Sequence, residues 1–299
     1  MTTVDGAEWV AASRTASASR RRVPVSVIVA GLVFGVFIFG GVVGPYLLPY
    51  RTLSINLFGR LLSPGSHVPH GSVALLGTDQ EGRDLLRQLV AGSRISLLVI
   101  FVTSVVAGGG GALLGLISGY FGGWIDAIVS RIGDIQLSFP GLLLPILLAG
   151  TLGPSVTNVI VALAATRWVV FARVVRGSAI KARQKAYVEA ARAMGAPHVR
   201  VLLRYVLPEC IPQLVVVMTA QVGFIAVGEA SLSFLGLGVP LTQASWGGTI
   251  AGGLDYLGNA WWIATFPGLF LTMVVVAVGI LGDFLRDVLD PANRSDTRA

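Results

Sequence analysis

The chain has 299 residues, of which 54% are hydrophobic and 12% charged, and its mean hydropathy is +0.77. Soluble domains carry about 25% charged residues, so this composition excludes an ordinary soluble domain and describes an integral membrane protein. The formal net charge of +7 fits an excess of Arg on cytoplasmic loops better than a nucleic-acid surface, and the lone cysteine, Cys210, excludes an internal disulfide.

A helix needs about 20 apolar residues to cross the hydrocarbon core. Six stretches qualify, at roughly 24–48, 95–120, 127–152, 155–174, 211–237 and 261–285, which predicts an all-α bundle. Residues 1–22 read as an unstructured cytoplasmic tail ending in Arg20, Arg21 and Arg22. The apolar run at 23–48 is too long for a signal-peptide core and no A-x-A site follows it cleanly, so it is expected to stay as an anchor. The loop 49–94 then carries "HVPH" (His67, His70), a metal-like spacing with no third ligand nearby, and an alternating charged run from Asp79 to Arg87. That run is expected to form an amphipathic helix at the membrane surface or to contact a partner.

In the second span Gly111, Gly115, Gly119 and Gly123 fall four apart and would share one helix face. Small residues at that spacing let two helix backbones approach closely; the seam is either static packing or the lining of a moving interface. In the third span Arg131 and Asp134 are three apart and could pair on one face. Glu229 lies deeper, in the fifth span. With Asp126 and Arg167 these are the ionisable residues in or near the spans, where such groups usually face a bundle interior or an aqueous path. Glu229 can line a path or bond a neighbouring helix.

Spans four and five are joined by "YVEAARAMGAPHVRVLLRYVLP" (Tyr187 to Pro208). The first half is rich in strong helix formers. Gly195 suits the position after a helix end, and Pro197 suits the start of a second helix. Val199, Leu202, Leu203 and Val206 would share one side, and Pro208 and Pro212 are expected to interrupt the chain before span five. The product is a short helical knob whose Ala190, Ala191 and Ala193 offer a low surface beside Glu189; an amphipathic helix lying on the membrane is the alternative. With the N-terminus inside, 17 of the 22 Lys and Arg residues are cytoplasmic and five (Arg51, Arg60, Arg83, Arg87, Arg94) are outside. This asymmetry predicts N-in and C-in, with the knob (181–208, within a core of 95–285) and a tail of 286–299 in the cytoplasm.

Catalytic patterns are missing. There is no G-x-x-x-x-G-K-[ST] phosphate loop, no H-E-x-x-H and no G-x-S-x-G, so no catalytic residue, metal site or cofactor is assigned to this chain, and it is not expected to be an ATPase itself.

Glu189, Ala190, Ala191, Gly195, Leu207 and Pro208 resemble the E-A-A-x-x-x-G … L-P loop of binding-protein-dependent ABC importers, with Tyr205 where the general pattern has Ile. The segment Gly77, Thr78, Asp79, Gly82, Arg83, Asp84 resembles the G-T-D-x-x-G-R-D motif of the C-type permease subunits of dipeptide, oligopeptide and nickel importers. "EASLSFLGLG", "SWGGTIAGG" and "GDFLRDVLDP" resemble their last third, so the likeness covers roughly 70–291. The resemblance implies a six-span type I permease in a bacterial plasma membrane, working by ATP-driven alternating access. It implies a B-type permease as heterodimer partner, two ATPase subunits that bind ATP and Mg, an extracytoplasmic substrate-binding protein and surrounding lipid, with no nucleic acid. In that family the loop is the coupling helix that seats in the ATPase. Di- and oligopeptides are the first expected substrates; nickel, another metal chelate or a glutathione-like compound are alternatives. An ion-driven secondary transporter is the rival from another class.

Overall fold

The computed structural model describes residues 23–47, 55–69, 73–240 and 242–289. The predicted N-terminal tail, most of the C-terminal tail and His70 lie outside these residues. Ten helices follow in chain order: α1 Val25–Leu47, α2 Leu85–Phe121, α3 Gly123–Leu137, α4 Leu143–Leu152, α5 Val156–Arg183, α6 Ala186–Ala193, α7 His198–Val201, α8 Leu207–Phe234, α9 Trp246–Gly253 and α10 Trp262–Leu289. A two-residue hairpin, β1 (Ser66–His67) against β2 (Val73–Ala74), lies in the loop before α2.

Three predicted spans are redrawn. The second starts at Leu85, not near 95, because Asp84 caps it by accepting the Arg87 amide at 3.2 Å. The charged run is therefore a loop and a helix cap, not a surface helix. The third span is not one helix: α3 stops at Leu137 and α4 begins at Leu143. Pro140 explains the break, since it disfavours helical backbone at Phe139 and has no amide to donate. The fifth span is longer than predicted. Pro208 and Pro212 do not interrupt the chain; helix runs from His198 to Phe234. A π-helical turn over Leu202–Val206, in which the Leu207 amide reaches back to the Leu202 carbonyl, absorbs the lost donors.

Among the described residues five helical stretches are long and apolar enough to cross a membrane: α1, α2, α5, the run from α7 to α8, and α10; α3 and α4, which divide the third predicted span, are shorter. Lipid tails are as apolar as Leu, so burial alone gives these helices little reason to associate. Close packing does. A Cβ at Gly115 would lie 2.9 Å from the Ala172 Cα, one at Gly119 2.6 Å from the Arg176 carbonyl oxygen, and one at Gly111 2.8 Å from the Phe171 Cβ. The glycine seam is thus the α2–α5 contact. Gly123 does not belong to it: α2 ends at Phe121, and Gly123 is the first residue of α3, past the turn at Gly122, with nothing near its absent side chain.

Candidate functional site

One end of the bundle is built from the α2–α3 turn, α6, α7 and the π turn. The distribution of Arg and Lys makes it the cytoplasmic end. Here Val188, Ala191, Val201, Val206 and Cys210 are buried against Ala112, Leu116 and Tyr120 of α2 and Val175, Ala179 and Ala182 of α5. The opposite face is bare. Glu189, Ala190, Ala193, Gly195 and Pro208 are exposed, and Met194, Val199 and Leu203 expose 80%, 67% and 55% of their area. So Ala190 and Ala193 are available for approach, whereas Ala191 belongs to the core. Val199 and Leu203 do not share a side with Val206, which is buried at the end of the π turn.

Gly195 makes the corner between α6 and α7. Its φ is +78°, a region an L-residue enters only at a cost, and its amide donates to the Arg192 carbonyl at 2.9 Å. Pro197 caps α7 with φ −65°. Polar contacts then fasten this cap to three long helices. The Tyr120 hydroxyl lies 3.0 Å from His198 Nδ1, and the Arg192 guanidinium sits 4.7 Å over the Tyr120 ring. Arg183 donates to the Tyr120 carbonyl at 3.2 Å. Glu209, opening α8, accepts from Tyr187 at 3.0 Å and pairs with Lys185 at 2.7 Å. Tyr120, Arg183 and Glu209 carried no sequence signal; only the fold brings them to the loop.

At the other end the G-T-D-x-x-G-R-D segment folds around Asp79. Its carboxylate, 1% exposed, accepts the Glu81 and Arg83 amides at 2.9 Å each and the Arg83 Nε at 2.6 Å. The buried Thr78 donates to the Gly59 carbonyl at 2.6 Å and accepts the Leu62 amide at 2.8 Å. Gly77 and Gly82 hold positive φ, and a side chain at Gly82 would collide with the Asn56 carbonyl. The Gly77 carbonyl accepts the Leu85 amide at 3.0 Å as α2 begins. Trp262 closes the collar from α10, donating to the Thr78 carbonyl at 3.1 Å. Trp246 of α9 is fully buried and donates to the Leu89 carbonyl at 3.0 Å, while its backbone amide donates to the Ser96 hydroxyl oxygen at 3.0 Å. Between collar and α9 lies a cavity of about 630 Å³ that Asp79, Gln88, Ser245 and Thr249 help to line.

The intramembrane polar residues separate. Glu229 is 1% exposed; it accepts Ser233 Oγ at 3.0 Å and a bond from Ser245, and Gly247 brings the α9 backbone against it. It braces α8 to α9. Arg131 and Asp134 do not pair: Asp134 takes Arg173 of α5 at 2.6 Å, and Arg131 is exposed. Asp126 takes Arg176 in a two-pronged contact. Thus α3, whose residues are almost all open on one side, is attached to α5 by two ion pairs and by Gln136, which donates to the Thr166 carbonyl at 2.6 Å.

Residues 111–295 match the model of the family described as binding-protein-dependent transport system inner membrane component. The chain belongs to that family. This permease is 41% identical over 226 residues to a putative peptide transport system permease protein of Brucella suis biovar 1, covering 75% of each chain. It is 38% identical over 250 residues to the glutathione transport system permease protein of Pectobacterium atrosepticum, covering 84% of this chain and 81% of that one. Its fold matches an inward-facing structure of the MetNI methionine ABC transporter, with TM-score 0.58 and 22% identity over 69% of this chain and 98% of that chain. The permease is accordingly a multi-pass protein of a bacterial plasma membrane with the type I importer fold.

Proposed function

We propose that this permease forms half of the translocation unit of a peptide importer and takes its energy from ATPase subunits at the α6–α7 cap. The carrying observation is the cap itself: a bare face at Glu189, Ala190, Ala193 and Met194, backed by a packed core and fastened to α2, α5 and α8. A rigid cap of that kind passes a partner's movement to the spans as a body, the shear-and-hinge class of switch. ATP and Mg belong to the partner, since this sequence has no phosphate loop. A B-type permease completes the path, and an extracytoplasmic binding protein delivers substrate to the collar end. Relatives named for peptide and for glutathione transport support a peptide-like substrate; glutathione itself is the second reading, on the Pectobacterium relative. Glu189, Ala190, Gly195 and Pro208 present the ATPase-facing surface. Ala191 and Leu207 anchor it, the Asp79 motif organises the collar, and Glu229 braces.

The test is uptake. The complex, purified from native membranes and reconstituted with its binding protein, should import a labelled dipeptide only with ATP inside reach of the cap. Uptake driven by an ion gradient without ATP would overturn the proposal.

A further inference from the structure

Four arginines lie along α5, and three of them have polar partners within the chain: Arg173 pairs with Asp134, Arg176 with Asp126, and Arg183 donates to the Tyr120 carbonyl. Arg167 does not. It lies eleven residues from the outer end of α5 at Val156, about 16 Å at 1.5 Å per residue, which is about half of a 30 Å hydrocarbon core. Its guanidinium sits 5.4 Å from the Phe224 ring centroid of α8, and its Nε is enclosed with no partner. Among the described residues no carboxylate pairs with it. The Phe224 ring beside it exposes 58% of its area.

A guanidinium at the bilayer centre is expensive when it faces lipid, and such groups mark protein interiors or aqueous pathways. Here the Phe224 ring supports the cation, and among the described residues the terminal nitrogens carry no hydrogen bond. The planar fork they form is matched to a carboxylate. Every unmodified peptide brings one at its C-terminus, and carrying that charge across the membrane costs desolvation that a fixed cation offsets.

We infer that Arg167 is a station for the substrate's carboxylate at mid-depth in the translocation path, with Phe224 as its support. The inference rests on the peptide reading above. It makes Arg167 a residue that favours substrates with a free C-terminal carboxylate over the same substrates with that charge removed.

The experiment uses the complete reconstituted importer with one binding protein throughout. Uptake of an uncharged-side-chain tripeptide is compared with uptake of its C-terminal amide, in wild type, Arg167→Gln and Arg167→Lys. Selection by the binding protein is the same for all three and cancels in the ratio of ratios. A charge-assisted bond is worth about tenfold, so Arg167→Gln should lower the acid-to-amide uptake ratio about tenfold and Arg167→Lys should restore most of it. A ratio unchanged in Arg167→Gln, equal loss for both peptides, or a Gln variant that no longer assembles assigns Arg167 to structure or to a partner's carboxylate and overturns the inference. A wild-type importer that takes up neither peptide overturns the peptide reading, and the carboxylate station with it.

Discussion

Gly195 is the corner on which the cap turns, and two substitutions there separate backbone strain from surface contact. The space beside it is open, so alanine meets no neighbour. What alanine meets is the backbone: holding an L-residue at φ +78° costs about 1–2 kcal/mol. The packed core beneath, from Val188 to Cys210, can carry that, and Gly195→Ala should import normally with a modest loss of thermal stability. Proline cannot adopt this φ at all, since its ring holds it near −65°. It also deletes the amide that bonds the Arg192 carbonyl, about 1 kcal/mol, and drives Met194 out of the helical region. The sum is at least about 3 kcal/mol, enough to open the corner. In the reconstituted importer Gly195→Pro should insert, expose a new protease site near 194–197, keep basal ATP hydrolysis and lose uptake. Normal uptake by a well-expressed Gly195→Pro protein would refute the reasoning.

Gly115→Ala drives a methyl into the Ala172 backbone and should cost about 1–3 kcal/mol, whereas Gly110→Ala meets nothing within 4 Å and should be neutral or better; detergent melting curves compare the two. Asp79→Asn weakens three bonds and leaves Arg83 with Glu81 as its remaining acid at 2.7 Å, so the collar should lose about 2 kcal/mol and α2 should fray at its start, seen as faster amide exchange at 85–88. Glu229→Gln keeps an acceptor for Ser233 and should assemble and transport, while Glu229→Leu strands the Ser233 and Ser245 hydroxyls at about 1–3 kcal/mol and should lower the yield of assembled complex. Loss of transport in a fully assembled Glu229→Gln complex would return that residue to the path.

The apolar spans and the knob were readable because their signals are local: run length, Arg distribution, a helix–Gly–Pro–helix pattern. The seam was readable at Gly111, Gly115 and Gly119 because spacing four survives in any α-helix. It failed at Gly123, since no pattern marked the turn that ends α2. The Asp79 run misled because alternating charge looks like a surface helix; its acids and amides close on each other instead, and two positive-φ glycines are what permit it. The Arg131–Asp134 pairing failed because nothing in the sequence says that α5 lies beside α3 and offers Arg173. Pro208 misled because a π turn can absorb a proline that would stop an α-helix. The braces at Tyr120, Arg183 and Glu209, and the solitary Arg167, needed distances that only the folded chain supplies.

The central claim is that the bare face of the α6–α7 cap is where the ATPase docks. A photo-crosslinking residue at Met194, 80% exposed on that face, tests it against one at Trp261, 51% exposed at the opposite end. In native membranes the adduct from position 194 should be a P-loop ATPase, and position 261 should give none. No ATPase adduct from 194, or one from 261, would contradict the account.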